Sequence, residues 1–342
     1  MKISAKKILV AAIATAVMGV GMAQTANAGA KAYSHILVDN FIIWNGSTAD
    51  ASTAAVGTQF DFATDFDLLT IVNNATANAS ISGIGAIAGA SGPGAGDQSL
   101  ALQCVGDCAG IAENDYSQQS SPAFPDNWAR GDAGLLGAIV ANVPGASKDN
   151  ATAESVAEAQ FSSTAAGNAG SEVTTASSFS FSLVGDTSMV LDFDALAEIH
   201  IALDAASIPI SGAVADASWS VSIRQETGVG AGATVFSWTP GVALVGGTAY
   251  SNPSSLSLSD STGLAGVNRY TCSSGALIPG TCATDFFRAE TGILSAANIY
   301  SFTIDQNTDV DLIATIPEPG SLALLGLGLV GLGAMRNRAK KA

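Results

Sequence analysis

Oxygen-bearing side chains recur at alternate positions near the C-terminal end of the chain, at Asp305, Asn307, Asp309 and Asp311. Calcium prefers carboxylate and amide oxygens, and this spacing resembles the first half of a calcium-binding loop. Val310 stands where such a loop needs a glycine, and Ile316 stands where it needs a bidentate glutamate. In a strand, the four side chains would all point the same way. The row therefore predicts either a calcium site or a solvated line of acids that deters pairing at a sheet edge.

Two histidines, His35 and His200, could act as the base for a serine or cysteine nucleophile. The sequence has no Gly-x-Ser-x-Gly turn, which exposes the catalytic serine in one large class of hydrolases. His200 falls on a patterned strand, and His35 follows shortly after an N-terminal leader that is described below. We predict that both are ordinary surface or strand residues and that the protein is not an enzyme. An exported hydrolase is a competing hypothesis.

The four cysteines allow three disulfide pairings. Their spacing favours two local bonds, Cys104 with Cys108 and Cys272 with Cys282, each of which would close a loop. A zinc site is disfavoured, because the first pair has three intervening residues rather than two and the sequence has two histidines. An even number of cysteines is usually disulfide-bonded in an exported protein. We therefore predict two structural disulfides.

Short β-strands are the elements that would position these side chains. In residues 217–223 a tryptophan, a valine and an isoleucine alternate with serines, and phenylalanines and a leucine alternate with serines in residues 178–184. Further candidate strands are 35–44, 68–72, 189–193, 199–203, 234–238, 255–258, 286–293, 300–304 and 310–314. Turn residues separate these segments. The pattern predicts an all-β fold, an antiparallel β-sandwich.

Three segments depart from this pattern. Residues 151–161 have a helical spacing of apolar residues, but small side chains make a strand equally compatible. Residues 82–97 are rich in glycine and predict a long loop or an insertion. Residues 112–150 contain three prolines and many polar residues, which predicts an irregular region.

The composition excludes some classes of protein. The chain has 342 residues, of which 48% are hydrophobic and only 12% are charged, and its net charge is −16. Its two ends are basic, so residues 29–316 contain six basic and 28 acidic residues and have a net charge of −22. The apolar content is sufficient for a folded core. Because the negative charge repels phosphate, we expect no nucleic-acid partner.

The N-terminus has the order of a secretory signal peptide. Lys2, Lys6 and Lys7 precede an apolar stretch that begins at Ile8, and small residues follow at Ala26-Asn27-Ala28. We predict that residues 1–28 are removed after export and that residues 29–316 form a β-rich ectodomain.

The C-terminus has three parts in residues 317–342. Pro317-Glu318-Pro319 ends the preceding strand, because proline lacks a backbone N–H. The apolar span 321–335 follows, rather shorter than the ~20 residues that comfortably cross a bilayer. Basic residues at 336–341 stand where cytoplasmic charge is expected. These features predict a single transmembrane helix.

This C-terminus resembles the PEP-CTERM sorting signal of exported proteins from Gram-negative bacteria, with Pro317, Glu318 and Pro319 at the positions of the motif. The resemblance implies processing near the motif by an integral-membrane exosortase, after a transient stage in which the C-terminal helix anchors the chain. It implies display on the cell surface or in the extracellular matrix, and it does not imply a fold.

As this resemblance implies, we predict a non-enzymatic structural or adhesive protein associated with exopolysaccharide in a biofilm. A carbohydrate-binding β-sandwich is the main alternative, in which exposed aromatic residues stack on sugars; the candidates are Trp44, Trp128 and Trp238. We expect no cofactor, apart from the hypothetical calcium ion.

Overall fold

The computed structural model describes residues 29–46, 58–61, 64–82, 84–93, 98–119, 127–137, 151–161, 167–203, 212–250, 254–264 and 266–314. The predicted signal peptide 1–28 and the predicted sorting tail 317–342, including its span 321–335, lie outside these residues. None of the described residues forms a helix that could cross a membrane.

All regular structure in the described part of the chain is β-strand, which confirms the all-β prediction. The strands are β1 (Ala30–Asn45), β2 (Phe66–Ile81), β3 (Ile84–Pro93), β4 (Gln98–Gly106), β5 (Trp128–Gly137), β6 (Ala151–Phe161), β7 (Gly167–Leu183), β8 (Met189–Leu203), β9 (Gly212–Gln225), β10 (Thr234–Thr239), β11 (Ala243–Val245), β12 (Gly247–Ala249), β13 (Leu258–Thr262), β14 (Val267–Cys272), β15 (Asp285–Thr291) and β16 (Tyr300–Ala314).

These strands form two antiparallel sheets of eight strands each. Sheet 1 has the order β12-β15-β8-β1-β6-β5-β4, and β14 pairs with β8 on the C-terminal side of the segment that pairs with β15. Sheet 2 has the order β11-β10-β9-β16-β7-β2-β3, and β13 pairs with β9 next to β10. Long central strands therefore lie inside each sheet and shorter ones lie toward the edges.

One apolar core joins the two sheets. Phe193 of sheet 1 contacts Trp219 of sheet 2, with ring centroids 4.7 Å apart, and Phe41 of sheet 1 contacts the same indole at 6.3 Å. The inward side chains alternate with outward ones along most strands, as expected for a sheet with one face in the core. This arrangement fits the predicted sandwich.

Small side chains fill one end of the core. Buried alanines recur at alternate positions of β2, β5 and β6: Ala75, Ala77, Ala79, Ala129, Ala133, Ala157 and Ala159. Gly131 lies among them on β5, where a Cβ atom would stand 2.7 Å from Cγ2 of Val173 on β7. The alanine and glycine content of the sequence thus permits a close approach of the two sheets.

A β-bulge in β1 reverses the direction of its side chains. The pairing of β1 with β6 shifts between Val38 and Phe41, and Asn40 within the bulge has a φ of 54°. Asparagine tolerates this left-handed conformation better than most residues. Because of the extra residue, Phe41 enters the core whereas His35 and Trp44 lie on the outer face of sheet 1.

The structure corrects several local expectations. Residues 84–93 of the glycine-rich segment form strand β3 rather than a loop, and residues 128–137 form β5 within the segment that was expected to be irregular. Residues 151–161 form a strand, β6. In each case pairing with a neighbouring strand, which local sequence does not encode, decides the conformation.

Candidate functional site

A group of polar side chains, all but Glu154 and Tyr270 buried, lies on the outer face of sheet 1. This outer polar cluster comprises Lys31, Tyr33, His35, Arg130, Glu154, Glu158, Glu198, His200 and Tyr270. Side chains alternate along a strand, so every second residue of β1 lies on this face. The residues of β6 and β8 that are paired with them lie on the same face and form the rest of the central part of the cluster. Tyr33 is paired with Glu158 on one side and His200 on the other, and His35 is paired with Glu198.

Two carboxylates hold the imidazole ring of His35. Its Nε2 lies 2.9 Å from Oε1 of Glu154, and its Nδ1 lies 3.3 Å from Oε1 of Glu198. Burial by itself lowers the pKa of His35, but the hydrogen bonds to Glu154 and Glu198 outweigh it, and the net pKa is raised. Because both ring nitrogens face carboxylate oxygens, which only accept hydrogen bonds, the geometry fits a doubly protonated ring.

Glu198 connects His35 to two tyrosines. The hydroxyl of Tyr33 donates to Oε1 of Glu198 at 3.0 Å, and the hydroxyl of Tyr270 donates to Oε2. Burial alone raises the pKa of Glu198, yet the hydrogen bonds from His35 and Tyr270 favour the carboxylate more strongly, so the pKa of Glu198 is lowered. Burial raises the pKa of Tyr33, with the charge of Glu198 acting in the same direction.

Residues 113–119, here named the strap, cover the cluster. The carbonyl oxygen of Tyr116 lies 3.0 Å from the hydroxyl of Tyr33, whose single proton it shares with Glu198, and the Tyr116 ring stacks beside His35 with centroids 6.5 Å apart. Arg130 donates to the carbonyl oxygens of Asp115 and Ser117. Main-chain groups of the strap thus satisfy buried side chains of sheet 1.

Glu158 is the centre of charge beneath the strap. Its Oε1 lies 2.8 Å from Nζ of Lys31, and its Oε2 lies 2.9 Å from Nη2 of Arg130. The backbone N–H of Gln119 donates to the same carboxylate at 3.1 Å. Because Glu158 and Arg130 are completely buried, these pairs compensate charges that have lost their hydration.

The hydrogen bonds of His200, in contrast, fit a neutral ring. Its Nδ1 is hydrogen-bonded to the side-chain amide of Gln118 in the strap, and its Nε2 is 2.6 Å from Oδ1 of Asn268 on β14. A neutral ring that accepts at Nδ1 and donates at Nε2 fits both partners. Burial lowers the pKa of His200, which also favours the neutral ring.

Both histidines lie on strands, which is one of the two placements expected for them, and neither lies at the surface: they are only 7% and 9% exposed. The strap, which is distant from both histidines in sequence, covers the face of the sheet on which they lie. The local pattern of a strand does not show that another segment covers it. Both ring nitrogens of His35 and of His200 are hydrogen-bonded to protein groups. The cluster is therefore best described as a structural network that attaches the strap to sheet 1.

The acidic row, Asp305, Asn307, Asp309 and Asp311, lies on β16 and faces outward from sheet 2, as strand alternation predicts. Neighbours in the row stand about 6.8 Å apart along the strand. Calcium bonds to oxygen are about 2.3–2.6 Å long, so one ion cannot contact all four. Within the described residues, no group of three or more histidine, cysteine, aspartate or glutamate side chains is arranged to hold a metal. Calcium binding stays a prediction.

Asp309 is the most perturbed acid of this row. It is paired in register with Glu172 of β7 and with Asp216 of β9, so three carboxylates stand side by side. Burial raises the pKa of Asp309 to about 6, with the charges of Glu172 and Asp216 adding to the effect. Sequence reasoning found the row but missed its two cross-strand neighbours, because register is a property of the sheet.

The two predicted local disulfides are present. Cys104 is bonded to Cys108 at the end of β4, just before the strap. Cys272 is bonded to Cys282 after β14, which carries Tyr270 of the outer polar cluster. Both bonds therefore constrain chain segments that adjoin the cluster, and the described residues contain no free cysteine.

The predicted exposed tryptophans are buried. Trp44, Trp128 and Trp238 are 3%, 4% and 3% exposed, so the expectation that they stack on sugars was wrong. Trp238 packs in the core against Phe193 and Phe287. Trp44 lies on the outer face of sheet 1 but packs against Val190 and Ile42. Of the three, Trp238 therefore belongs to the core between the sheets, whereas Trp44 is buried in a small separate cluster.

A cavity of 50 Å³ lies between the sheets beside Phe41, Trp219 and Gln306. Sites for organic ligands usually enclose about 300–1,000 Å³. This cavity is therefore too small for a sugar or an acyl chain.

One comparison identifies the C-terminal segment. The family model described as the PEP-CTERM protein-sorting motif matches residues 315–338, so the resemblance is confirmed and the chain carries this motif. Pro317, Glu318 and Pro319 fall inside the matched range. The motif implies an exported protein that an exosortase-type enzyme processes and sorts to the cell surface. No curated protein and no solved structure matches the chain significantly.

Proposed function

We propose that the protein is a non-enzymatic structural or adhesive component of the cell surface or extracellular matrix, associated with exopolysaccharide in a biofilm. The PEP-CTERM motif at residues 315–338 carries this proposal, because it implies exosortase-dependent sorting of an exported chain. The two disulfides support export, since such bonds persist in oxidising compartments.

The proposed route uses both ends of the chain. Residues 1–28 direct passage through the inner membrane of a Gram-negative bacterium and are then removed. The span 321–335 anchors the chain transiently, with the basic residues 336–341 in the cytoplasm. An exosortase-type enzyme then acts near Pro317-Glu318-Pro319 and releases the ectodomain to its destination.

The geometry of the outer polar cluster supports a structural role. A general base must reach the proton that it removes, whereas His35 and His200 are buried and hydrogen-bonded through both ring nitrogens. An exported hydrolase is the weaker alternative for this reason. Hydrolysis of cell-wall or matrix polysaccharides by the purified protein, abolished in a His35→Ala/His200→Ala variant that remains folded, would favour the hydrolase.

Sorting is tested with the full-length chain in a host that has its exosortase and in a deletion strain that lacks it. We expect wild-type protein in the surface or medium fraction of the first host, and a larger form in the membrane fraction of the deletion strain. In the host that has its exosortase, the Glu318→Ala variant should also accumulate as the larger form in the membrane fraction. Glu226→Ala, which removes an exposed acid outside the motif, is the control. Wild-type surface levels of Glu318→Ala would contradict the proposal.

Matrix association is tested separately. Protein released from the surface is sedimented with exopolysaccharide purified from the same cells, and we expect it in the pellet only when the polysaccharide is present. Equal recovery in the supernatant with and without polysaccharide would contradict this part of the proposal and leave the sorting route intact.

We also propose, as a separate hypothesis, that calcium binds along the acidic row. Support comes from the repulsion that Glu172 and Asp216 exert on Asp309, which a nearby cation would screen, although the three carboxylates are not arranged to coordinate one ion. Calcium would relieve their repulsion and would bridge the negative protein to anionic polymers. Titration calorimetry that gives no heat, with no change in melting temperature, would contradict calcium binding.

A further inference from the structure

Tyr250 and Phe286 are the aromatic side chains that the structure leaves most exposed among the residues it describes, at 41% and 45%. Both lie at the β12–β15 edge of sheet 1. The backbone N–H of Tyr250 donates to the carbonyl of Arg288 at 2.9 Å, which continues the pairing of β12 with β15. Tyr250 therefore stands opposite Arg288, and Phe286 lies two residues away on the same face of the sheet.

Polar groups are fixed between and beside the two rings. Arg288 is buried and forms an ion pair with Asp192, its neighbour in register on β8. The guanidinium carbon of Arg288 lies 4.8 Å from the ring centroid of Phe286. The hydroxyl of Tyr250 donates to Oε2 of Glu290 at 3.0 Å, and Ser188 donates to Oε1 of the same carboxylate at 2.6 Å. These contacts hold both rings in place before any ligand arrives, which lowers the entropic cost of binding.

We propose that Tyr250 and Phe286, together with Asp192, Arg288 and Glu290, form a binding face for a neutral polysaccharide. This inference rests on the proposed association with exopolysaccharide and names the surface that makes the contact. We refer to these five residues as the aromatic face.

The chemistry of the aromatic face suits a sugar chain. Exposed aromatic rings offer flat apolar surfaces to the C–H faces of sugar rings, and the partly exposed carboxylate of Glu290 can accept hydrogen bonds from sugar hydroxyl groups. Diagonal neighbours on adjacent strands have Cα atoms about 7–8 Å apart, and Tyr250 is directed away from Phe286 toward Glu290. The two rings are therefore separate contact points, which a polymer can occupy together.

Charge selects a neutral polymer. Asp192 neutralises Arg288, and Glu290 and Asp194 leave the surroundings of the aromatic face negative. The net charge of −22 in residues 29–316 adds long-range repulsion of anionic chains. A second copy of the protein is a less suitable occupant. Two rings within a polar face would bury much less surface area than the roughly 800 Å² per partner that a standard protein–protein interface buries.

The test is affinity electrophoresis of the full chain in gels that contain laminarin or dextran as neutral polysaccharides, or alginate as an anionic one. In calcium-free buffer, which prevents bridging by the cation, we expect retardation by at least one neutral polymer and none by alginate. Phe286→Ala and Tyr250→Ala should each weaken binding about three- to tenfold, as expected for the loss of one aromatic contact. Tyr250→Phe keeps the ring and should retain most of the affinity. Val229→Ala, at a fully exposed apolar residue elsewhere, is the matched control.

Each outcome decides the proposal, provided that the variants keep the wild-type melting temperature. Wild-type affinity in the Phe286→Ala/Tyr250→Ala double variant would overturn the aromatic face while leaving matrix association possible through another surface. Equal retardation by alginate would overturn the neutral ligand. Failure of the wild type to bind these polymers and the purified exopolysaccharide would overturn the aromatic face and matrix association together, but not sorting. A change of oligomeric state in the double variant, without a change in polysaccharide binding, would identify the face as a contact between copies.

Discussion

The charge on His35 links the outer polar cluster to pH. Its pKa is raised in the folded protein by Glu154 and Glu198, against the effect of burial. A raised pKa gives stability that is fully present below the unfolded value of about 6.5 and is lost as the pH rises through the folded value. His200 has the opposite sign, because burial lowers its pKa and penalises folding as the pH falls.

We therefore predict that His35→Gln lowers the free energy of unfolding by about 3 kcal/mol near pH 6, because it leaves buried carboxylates without their cation. The loss should become smaller as the pH rises through the folded pKa of His35. Urea unfolding of both proteins from pH 5.5 to 9 measures the difference. His200→Gln is the control, since its difference from wild type should shift toward stabilisation at the acidic end. A pH-independent loss in His35→Gln would contradict the charged state of His35.

The raised pKa of Asp309 gives a second prediction, in which ionisation lowers the stability of the folded protein. Its folded pKa of about 6 lies above the ordinary value, so its ionisation opposes folding above pH 6 and the penalty disappears as the pH falls toward 4. Asp309→Asn should stabilise the protein at pH 7.5 by about 1 kcal/mol, after allowance for solvent screening of this partly exposed group. The gain should vanish below about pH 4, the unfolded pKa, as followed by thermal unfolding. Asp67→Asn is the control at an exposed acid. A loss of stability at pH 7.5 without calcium would contradict repulsion in the row.

The strands also show what the sequence can predict. Alternation located most of the long strands, including β7, β9 and β16, because each has one face in the core. It failed for β3 in the glycine-rich segment, whose side chains are too small to show a period. It also failed for the outer polar cluster, since β1, β6 and β8 are buried on both faces there and the cover comes from the strap. Local spacing sufficed for the disulfides and for the sorting motif, which are continuous in sequence.

The close approach of β5 to β7 is testable at Gly131. A Cβ atom there would lie 2.7 Å from Cγ2 of Val173 and 2.8 Å from Oγ of Ser171, closer than packed atoms tolerate. We predict that Gly131→Ala destabilises the protein by about 1–3 kcal/mol through overpacking between the sheets. Gly89→Ala on β3 is the matched control, because its new Cβ would meet its nearest atom at an ordinary 3.7 Å. Chemical denaturation of the two variants gives the comparison, and equal stabilities would contradict the tight sheet contact.

The molecule as a whole distributes its few cations unevenly. Of the basic residues in the described part of the chain, Lys31, Arg130 and Arg288 are buried in ion pairs, and Arg224 and Arg269 are more exposed. The buried pairs fix the strap and the aromatic face rather than neutralise the surface. The outer surface therefore keeps most of the negative charge of residues 29–316, which favours dispersion of the protein and disfavours contact with anionic polymers.

This distribution predicts the effect of salt on stability. Salt screens exposed charges much more than buried pairs, so it should weaken surface repulsion while sparing the pairs under the strap. We expect the melting temperature at pH 7.5 to rise by about 2–4 °C between 0.02 and 0.3 M NaCl, which corresponds to about 1 kcal/mol. The increase should be smaller in an Asp305→Asn/Asp309→Asn/Asp311→Asn variant, because the acidic row then contributes less repulsion. A melting temperature that falls with NaCl would show that attractive ion pairs, rather than the excess of surface carboxylates, dominate the electrostatic free energy of folding.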